Sequence, residues 1–367
     1  MAERIALIMA GGGGTRLWPA SSKARPKQLI PGMPEPGSTL LGATVRRLEG
    51  LVSLDRIFVV TTREQVDGIR KVLPDLPADH VIAEPFGRNT APCVALAAVH
   101  LSAHAGDSNP TLIVLPADHY VGDETGFRNH LSAACAHAEA ADTVVTLGIE
   151  PDHPETGYGY MERTEEALEA VTGDGGLPVF AAKRFVEKPD AVTASQYVAS
   201  GRFVWNAGIF VMPLKRAVRD FATHTPETWT SLARVGEALA QGIDPGPAAS
   251  DAYGEIEPAP IDVAVMEKLT DIRVVPASVG WSDLGSWQSI AAIARRDKMG
   301  NAKVDGDGAA TQILDSEGCL VWNEDASVGI IGVKDVAVVV SHGRVLVCPL
   351  DRAQEVRAIA KALEKKR

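Results

Sequence analysis

The chain has 367 residues, of which 46% are hydrophobic, so it can bury a large core, and we expect one large domain with a smaller one. Its net charge is −11 without a long basic run, and it has no apolar run of about 18 residues, which excludes nucleic-acid-binding and membrane-spanning proteins. The four cysteines form no C-x-x-C pair and the N-terminus has no signal-peptide pattern, which argues against zinc or redox motifs and predicts a cytoplasmic location.

The first predicted strand, Ile5–Met9, runs into the glycines Gly11–Gly14, which are followed by Thr15 and Arg16, with Lys27 further on. Glycine lacks a Cβ, so main-chain N–H groups can approach phosphate oxygens, and nearby cations can neutralise charge at a reacting phosphorus. Neither the P-loop pattern nor the dinucleotide fingerprint fits, because no Lys-Ser or Lys-Thr pair follows and an arginine replaces the last glycine. The loop predicts a triphosphate site of another kind, and a flexible loop without a ligand is the alternative.

Short apolar runs alternate with amphipathic stretches through the first half of the chain. The strands are predicted at Ile5–Met9, Ile57–Thr61, Val81–Ala83, Thr111–Leu115 and Thr143–Leu147, and the helices at Leu40–Leu48, Glu64–Val72, Thr90–His104 and Phe127–Ala140. Continuous apolar runs are typical of parallel strands covered on both faces, so the repeated βα units indicate a doubly wound α/β domain. Ligands of such sheets bind at the carboxyl ends of strands, where the glycine loop, Glu84 and Asp118 are expected to converge.

Two aspartates are candidates for a metal site. Asp118 follows the strand that ends at Leu115, and a carboxylate there can hold Mg²⁺ against phosphate oxygens, although a turn or helix-capping role is the alternative. Asp283 lies between two tryptophans and would complete the site if the fold brings it to Asp118. His119 has no serine or cysteine nucleophile to pair with, so a structural imidazole is the better interpretation.

The middle of the chain contains candidates for sugar-phosphate recognition. Gly157 and Gly159 allow close approach of the main chain to a sugar, and a tight turn is their alternative role. The carboxylate of Glu187 can accept hydrogen bonds from paired sugar hydroxyls, and the amide of Asn206 can both donate to and accept from a sugar hydroxyl. Lys188 can reach a phosphate, but with Glu187 it can also form a surface ion pair of little energetic value.

Two further segments have more than one interpretation. Glu84–Pro92 joins a strand to a helix, and Asn89 or Thr90 is suited to cap that helix or to contact a purine edge. Gly242–Pro260 is rich in Pro, Gly and Ala and is predicted to be a loop.

The composition changes near residue 298, and we divide the chain into a catalytic domain at 1–298 and a β-rich domain at 299–367. Short β-type runs separated by turn residues fill the second part, and Ala353–Lys365 is predicted to be a surface helix. This part is equally compatible with an oligomerisation surface and with a purely structural lid.

Seven motifs in the chain occur in the order found in one family. They are Gly11–Pro19 with Pro26–Gln28, Glu84–Pro92, Leu115–His119, Gly157–Tyr160, Phe185–Pro189, Trp205–Phe210 and Trp281–Trp287. With them the chain resembles the sugar-phosphate nucleotidylyltransferases, and within that family the bacterial mannose-1-phosphate guanylyltransferases. The tail resembles the short left-handed β-helical segment of the monofunctional members, which often mediates dimerisation.

The resemblance implies a Rossmann-like nucleotidyltransferase core with a mixed, mainly parallel sheet, Mg²⁺ dependence and a homodimer formed through the C-terminal domain. Arg16 and Lys27 would be catalytic, and Asp118 and Asp283 would bind the metal. The implied nucleotide-binding residues are Gly11, Gly12, Gly14, Thr15, Asn89, Thr90 and Asp118, with Gly13 at the motif's variable position. The implied sugar-phosphate-binding residues are Gly157, Tyr158, Glu187, Lys188, Asn206 and Asp283.

The reaction implied is GMP transfer from GTP to mannose 1-phosphate, which gives GDP-mannose and pyrophosphate. About 70 residues follow the core, too few for the isomerase domain of bifunctional relatives, so we expect no isomerase activity. The alternatives are a transferase for another sugar 1-phosphate or base, and a catalytically silent subunit that senses nucleotide sugars.

Overall fold

A computed structural model describes residues 3–12, 14–33, 37–173 and 175–364, so the expectation for Gly13 and the last residue of the predicted C-terminal helix, Lys365, lie outside it. The α-helices are α1 (Leu40–Arg46), α2 (Val66–Val72), α3 (Thr90–Ala105), α4 (Glu124–Ala141), α5 (Ala191–Ser200), α6 (Leu214–His224), α7 (Pro226–Ala240), α8 (Gly246–Glu255), α9 (Ile261–Ala264), α10 (Trp287–Ile293) and α11 (Val356–Glu364).

The β-strands fall into a group before residue 283 and a group after residue 301. They are β1 (Arg4–Met9), β2 (Ile57–Thr62), β3 (Val81–Glu84), β4 (Thr111–Pro116), β5 (Tyr120–Val121), β6 (Val145–Ile149), β7 (Gly159–Arg163), β8 (Phe180–Glu187), β9 (Phe203–Pro213), β10 (Arg273–Ala277), β11 (Trp281–Ser282), β12 (Ala302–Asp305), β13 (Ala310–Leu314), β14 (Leu320–Asn323), β15 (Ser327–Ile331), β16 (Val336–Ser341) and β17 (Arg344–Pro349).

The main sheet has nine strands in the order β3-β2-β1-β4-β9-β6-β10-β8-β7. Strands β1, β2, β3 and β4 pair in parallel, whereas β9 runs antiparallel between β4 and β6, so the sheet is mixed as predicted. Along β1, Ala6 and Ile8 belong to the apolar cluster on one face of the sheet, and Ile5 and Leu7 belong to the cluster on the other. This confirms the α/β core with both faces covered.

The predicted strands and helices of the first half are present, and the largest differences are at element starts. Strand β6 begins at Val145, two residues late, because the Thr143 hydroxyl donates to the Asp271 carbonyl at 2.6 Å instead of facing a sheet neighbour. Helix α4 begins at Glu124, three residues early, because the Asp123 carboxylate accepts from the backbone N–H of Gly126 at 2.8 Å and caps the helix.

The prediction of a loop over Gly242–Pro260 is wrong, because helix α8 occupies most of that segment. Its residues Ala249, Ala252 and Tyr253 are buried in the same apolar cluster as Val235 of α7. The small side chains that suggested a loop instead let α8 pack closely against its neighbour.

The C-terminal strands form a β-helix-like unit, which confirms the predicted fold class. Strands β12, β14 and β16 pair in parallel, β13 pairs in parallel with β15, and β17 closes the larger sheet antiparallel to β16. Helix α11 begins at Val356, after a 3₁₀ segment at Leu350–Glu355, later than predicted. In the part of the chain that the structure describes, no helix is long and apolar enough to cross a membrane.

Candidate active site

A cavity of about 250 Å³ opens at the carboxyl ends of β1, β3 and β4. The three segments that the sequence predicted to converge at this edge all line it. Its polar lining includes Gly11, Gly12, Glu84, Asn89, Thr90 and Asp118. The cavity is therefore bounded by the start of the glycine loop and by two carboxylates, one at the end of β3 and one just after β4.

Two glutamine side chains donate hydrogen bonds to main-chain carbonyls at the start of the glycine loop. Gln28 donates to the carbonyl of Ala10 at 2.7 Å, and Gln65 donates to the carbonyl of Gly12 at 3.4 Å. A Cβ on Gly11 would lie only 3.0 Å from a carboxylate oxygen of Glu84, so only glycine fits at that position without displacing a neighbour. The main chain from Ala10 to Gly12 is thus held by specific contacts.

Lys27 lies where two loops meet. Its Nζ is 2.8 Å from Asp118 Oδ2 and donates to the main-chain carbonyl of Asp283 at 2.5 Å. The aspartates come together because β5 and β11 pair antiparallel, with Tyr120 opposite Ser282. A short strand pair therefore joins residues that are more than 160 positions apart in the sequence.

The electrostatics keep Asp118 ionised. Burial by itself would raise the pKa of Asp118, but the ammonium of Lys27 outweighs it, and the pKa lies below its usual value. Asp283 is held by the hydroxyl of Tyr158, which donates to Oδ1 at 2.8 Å, and by the N–H of Gly285 at 2.9 Å. Two oriented carboxylates are the hard oxygen donors that Mg²⁺ accepts.

Mg²⁺ usually takes only one or two protein carboxylates and completes its octahedron with phosphates and water. Among the described residues, no group of three or more His, Cys, Asp or Glu side chains is placed to hold a metal ion. Asp118 and Asp283 could therefore supply at most two protein carboxylates to such an ion.

The surroundings of His119 favour its neutral form. Burial lowers the pKa of His119 to about 4, and the indole N–H of Trp281 donates to its Nδ1 at 3.2 Å. Its Nε2 is 3.8 Å from the carboxylate of Asp118. A neutral imidazole packed under the site agrees with the structural role inferred from the sequence.

Arg16 does not join the cluster around Lys27. Its side chain is exposed and, within the residues described, makes no hydrogen bond or ion pair. Thr15 and Gly14 lie between it and the cavity lining, and a Cβ on Gly14 would be 3.4 Å from the backbone nitrogen of Lys27. The guanidinium is therefore uncommitted and available to an anionic ligand.

The predicted sugar-phosphate residues come together on neighbouring strands. Gly159 of β7 is opposite Glu187 of β8, and a Cβ on Gly159 would be 2.8 Å from a carboxylate oxygen of Glu187. The same Cβ would lie 3.6 Å from the Cβ of Asn206 in β9. Tyr158 links this group to Asp283 through its hydroxyl, so the group borders the Lys27 cluster.

Two of the predicted sugar-phosphate-binding residues already contact residues that lie close to them in the sequence. Lys188 forms an exposed ion pair with its neighbour Glu187. The N–H of Gly157 donates to the carboxylate of Glu155 at 2.7 Å, as expected for a tight turn. These contacts are short-range and solvent-accessible, so a ligand can replace them at little cost.

Of the two residues that the sequence suggested as a helix cap, Asn89 caps α3, and both Asn89 and Thr90 line the cavity. The side chain of Asn89 accepts from the N–H of Thr90 at 2.9 Å at the start of α3. The hydroxyl of Thr90 accepts from the N–H of Ile261 at 2.8 Å. The cavity wall is thereby tied to helix α9.

Sequence reasoning missed two buried partners of the site. The carboxylate of Asp262 accepts from the amide of Asn206 at 2.6 Å, and its burial raises its pKa. Tyr253 donates its hydroxyl to Glu84 at 3.0 Å. Tyr253 lies in the segment that composition predicted to be a loop, Asp262 lies two residues after that segment, and no spacing pattern marks either residue.

Comparison with known proteins adds a family match. The model of the nucleotidyl transferase family matches residues 5–299, and the model described as a MannoseP isomerase/GMP-like beta-helix domain matches residues 312–363.

Two curated relatives cover almost the whole chain. A protein named mannose-1-phosphate guanylyltransferase from Escherichia coli (strain K12) is 34% identical over 98% of the chain and 73% of its own length. A xanthan biosynthesis protein XanB from Xanthomonas campestris pv. campestris is 36% identical over 99% of the chain and 74% of its own length.

Among solved structures, a protein named mannose-1-phosphate geranyltransferase from Thermus thermophilus superposes with a TM-score of 0.85 at 35% identity, covering 99% of both chains. A mannose-6-phosphate isomerase from Helicobacter pylori superposes with a TM-score of 0.58 at 23% identity over 76% of the chain, a likeness of fold alone.

Proposed function

The chain belongs to the nucleotidyl transferase family, and from that membership we propose that it transfers GMP from GTP to α-D-mannose 1-phosphate, giving GDP-mannose and pyrophosphate. The observation that carries the proposal is the position of Lys27, which contacts Asp118 and Asp283 between the glycine-loop cavity and the group of Gly159, Glu187 and Asn206. A nucleoside triphosphate and a sugar phosphate bound on these two sides would meet at this lysine.

The chemistry is a single displacement. A phosphate oxygen of mannose 1-phosphate attacks the α-phosphorus of GTP, a new P–O bond forms, and the bond to the bridging oxygen of pyrophosphate breaks. The attacking phosphate is already an anion, so no protein nucleophile is needed and catalysis consists of positioning and charge neutralisation. Lys27 and Arg16 would supply positive charge at the reacting phosphorus.

Mg²⁺ is part of the proposal, with Asp118 and Asp283 as the residues that would hold it. When bound, it would neutralise phosphate charge as a Lewis acid. Asp118→Asn keeps the shape of the side chain but removes its charge, so the Mg²⁺ concentration needed for half-maximal activity should rise sharply. An unchanged Mg²⁺ titration would remove Asp118 from the metal site.

We also propose a homodimer formed through the C-terminal strands. Leu314 and Ile331 are paired in register on β13 and β15, and their side chains are 56% and 70% exposed. An adjacent pair of exposed aliphatic side chains is suited to burial against a second copy. Light scattering should give the mass of a dimer, and Ile331→Asp should shift it to the monomer; a monomeric parent protein would overturn the proposal.

The test of the proposed function is release of pyrophosphate from a panel of nucleotides combined with a panel of sugar 1-phosphates in the presence of Mg²⁺. GTP with mannose 1-phosphate should give the highest kcat/KM. A higher value for another pair would identify a transferase of different specificity. No release from any pair would favour the catalytically silent sensing subunit.

A further inference from the structure

The side-chain amide of Asn206 has one defined orientation in the structure. Its Nδ2 donates to the carboxylate of Asp262 at 2.6 Å, and its Oδ1 accepts from the main-chain N–H of Gly208 at 2.9 Å. An ionised carboxylate only accepts hydrogen bonds and a main-chain N–H only donates them, so exchanging the amide oxygen and nitrogen would break both contacts. The two partners together therefore determine which way the amide points.

Asp262 makes the charge-assisted contact of the two. Burial raises the pKa of Asp262, whereas the hydrogen bond from Asn206 acts in the opposite direction and favours the ionised form. Among the described residues, Asn206 is the only side chain that donates to this carboxylate, and no lysine, arginine or histidine forms an ion pair with it. Removing the carboxylate would therefore free the amide to rotate and would leave its N–H without a partner.

The start of helix α9 fixes the position of Asp262. The main-chain N–H of Ile261 donates to the hydroxyl of Thr90, on the wall of the glycine-loop cavity, at 2.8 Å. The side chain of Ile261 is 1% exposed, and the main-chain N–H of Ala91 donates to the carbonyl of Ala259 at 3.0 Å. The carboxylate is thus held by contacts with the cavity wall, so its place does not depend on a bound sugar.

Asn206 lies against the other residues that would hold the sugar. A Cβ on Gly159 would be 3.6 Å from the Cβ of Asn206 and 2.8 Å from a carboxylate oxygen of Glu187. After its contacts with Asp262 and Gly208, the amide retains an N–H and an oxygen lone pair. These are the groups that a sugar hydroxyl can use, and their directions follow from the orientation of the amide.

We propose that Asp262 is a positioning residue for sugar recognition, which orients the amide of Asn206 so that its remaining N–H and lone pair face the hydroxyls of the bound sugar. The inference rests on the proposed function, because it takes the group of Gly159, Glu187 and Asn206 to be the place of the sugar. Asp262 acts through Asn206 and does not contact the substrate. Preorganisation of a polar group lowers the cost of ordering it when the ligand binds.

Calorimetric binding of GDP-mannose and GDP tests this role, because GDP lacks the sugar. The parent protein should bind GDP-mannose more tightly than GDP. Asp262→Ala should weaken GDP-mannose binding by roughly tenfold or more, since a hydrogen bond to a charged group is lost, and should leave GDP binding unchanged. Equal losses for the two ligands, or unchanged binding of GDP-mannose, would overturn the proposal.

Three further variants separate positioning from other roles. Asp262→Asn should retain most of the affinity for GDP-mannose, because its carboxamide oxygen can accept the same hydrogen bond; a loss as large as that of Asp262→Ala would contradict the proposal. In an Asn206→Ala background, Asp262→Ala should cause no further loss, whereas an additive loss would show a direct contact with the sugar. Val263→Ala, at a position of α9 that is 50% exposed, is the matched control and should leave both affinities unchanged.

Failure of this inference differs from failure of the proposed function. If the parent protein releases no pyrophosphate, yet Asp262→Ala removes a preference for GDP-mannose over GDP, the proposed reaction fails and the positioning role stands. If the parent releases pyrophosphate and Asp262→Ala leaves the KM for mannose 1-phosphate unchanged, the reaction stands and the positioning role fails. Equal affinities of the parent for GDP and GDP-mannose also contradict the positioning role.

Discussion

Lys27 joins two loops that are distant in sequence, through the carboxylate of Asp118 and the main-chain carbonyl of Asp283. Its ammonium therefore has a defined place before any substrate binds, and preorganised charge is the most effective kind for stabilising a transition state. Arg16 is different, because its exposed side chain has no partner among the described residues. Its contribution must come from a bound triphosphate.

Arg16→Ala should lower kcat/KM by about a hundredfold, or on the order of 3 kcal/mol, because one cation at the reacting phosphorus is lost. Its folding should be unaffected, since no contact of the folded chain is removed. Lys23→Ala, an exposed lysine of the same loop, is the matched control and should retain turnover. Near-normal activity of the Arg16 variant would exclude it from the mechanism.

Glu84 also predicts how stability changes with pH. Burial raises the pKa of Glu84 to about 7 in the fold from its usual value of 4.5, so between these pH values the folded protein holds a proton that the unfolded chain has released. The free energy of unfolding should fall as the pH rises through this range. The two pKa values differ by about 2.5, which corresponds to about 3 kcal/mol.

Denaturant titrations of the ligand-free protein at pH 5 and pH 8 measure this loss, and Glu84→Gln should lack it. The neighbouring Cys93 and Tyr253 should stay neutral throughout, because burial raises the pKa of both groups. Parallel pH profiles for the parent and the variant would show that Glu84 is ionised in the fold over the whole range.

At the scale of elements, the strands of the first half were predictable because short continuous apolar runs such as Leu112–Leu115 are typical of strands that are buried on both faces of a sheet. The convergence of the glycine loop, Glu84 and Asp118 followed from topology alone. The meeting of Asp118 with Asp283 depends on the two-residue strands β5 and β11, which are too short to leave a sequence pattern. Helix α8 was missed because its proline lies in the first turn, where a helix tolerates it, and because its alanines are good helix formers.

The packing of helix α10 against strand β14 can be tested by substitution. Trp322 is almost fully buried, and its ring centroid lies 5.6 Å from that of Trp287. Trp322→Ala should lower the free energy of unfolding by about 3–5 kcal/mol through the cavity it leaves. Val347→Ala, on β17 at 63% exposure, should change it by less than about 0.5 kcal/mol in urea titrations. Equal effects of the two substitutions would contradict the packing described for this contact.

For the whole molecule, the C-terminal strands and the catalytic loops share one apolar cluster. It contains Leu17 and Ile30 from the segment that carries Arg16 and Lys27, together with Trp322 from β14. Arg25, in the same segment, pairs with Glu324 through two contacts of 2.8 and 3.2 Å. The β-helix-like unit therefore supports the segment that carries Arg16 and Lys27.

The chain is acidic overall, but its candidate site contains positively charged side chains, which suit a small anionic substrate. The net charge is −11, yet Lys27 lies between Asp118 and Asp283, Lys188 lies beside Glu187, and Arg16 is exposed just after the glycine loop. Only local cations are required for small anionic substrates, in contrast to the extended basic face that nucleic acids need.

The stereochemical course at phosphorus tests the central claim, direct transfer without a protein nucleophile. GTP with one sulfur in place of a non-bridging α-oxygen, of defined configuration, is converted with mannose 1-phosphate, and phosphorus NMR gives the configuration of the product. A single displacement predicts inversion at the α-phosphorus in a GDP-mannose analogue. Retention would reveal a covalent nucleotidyl–enzyme intermediate and contradict the account.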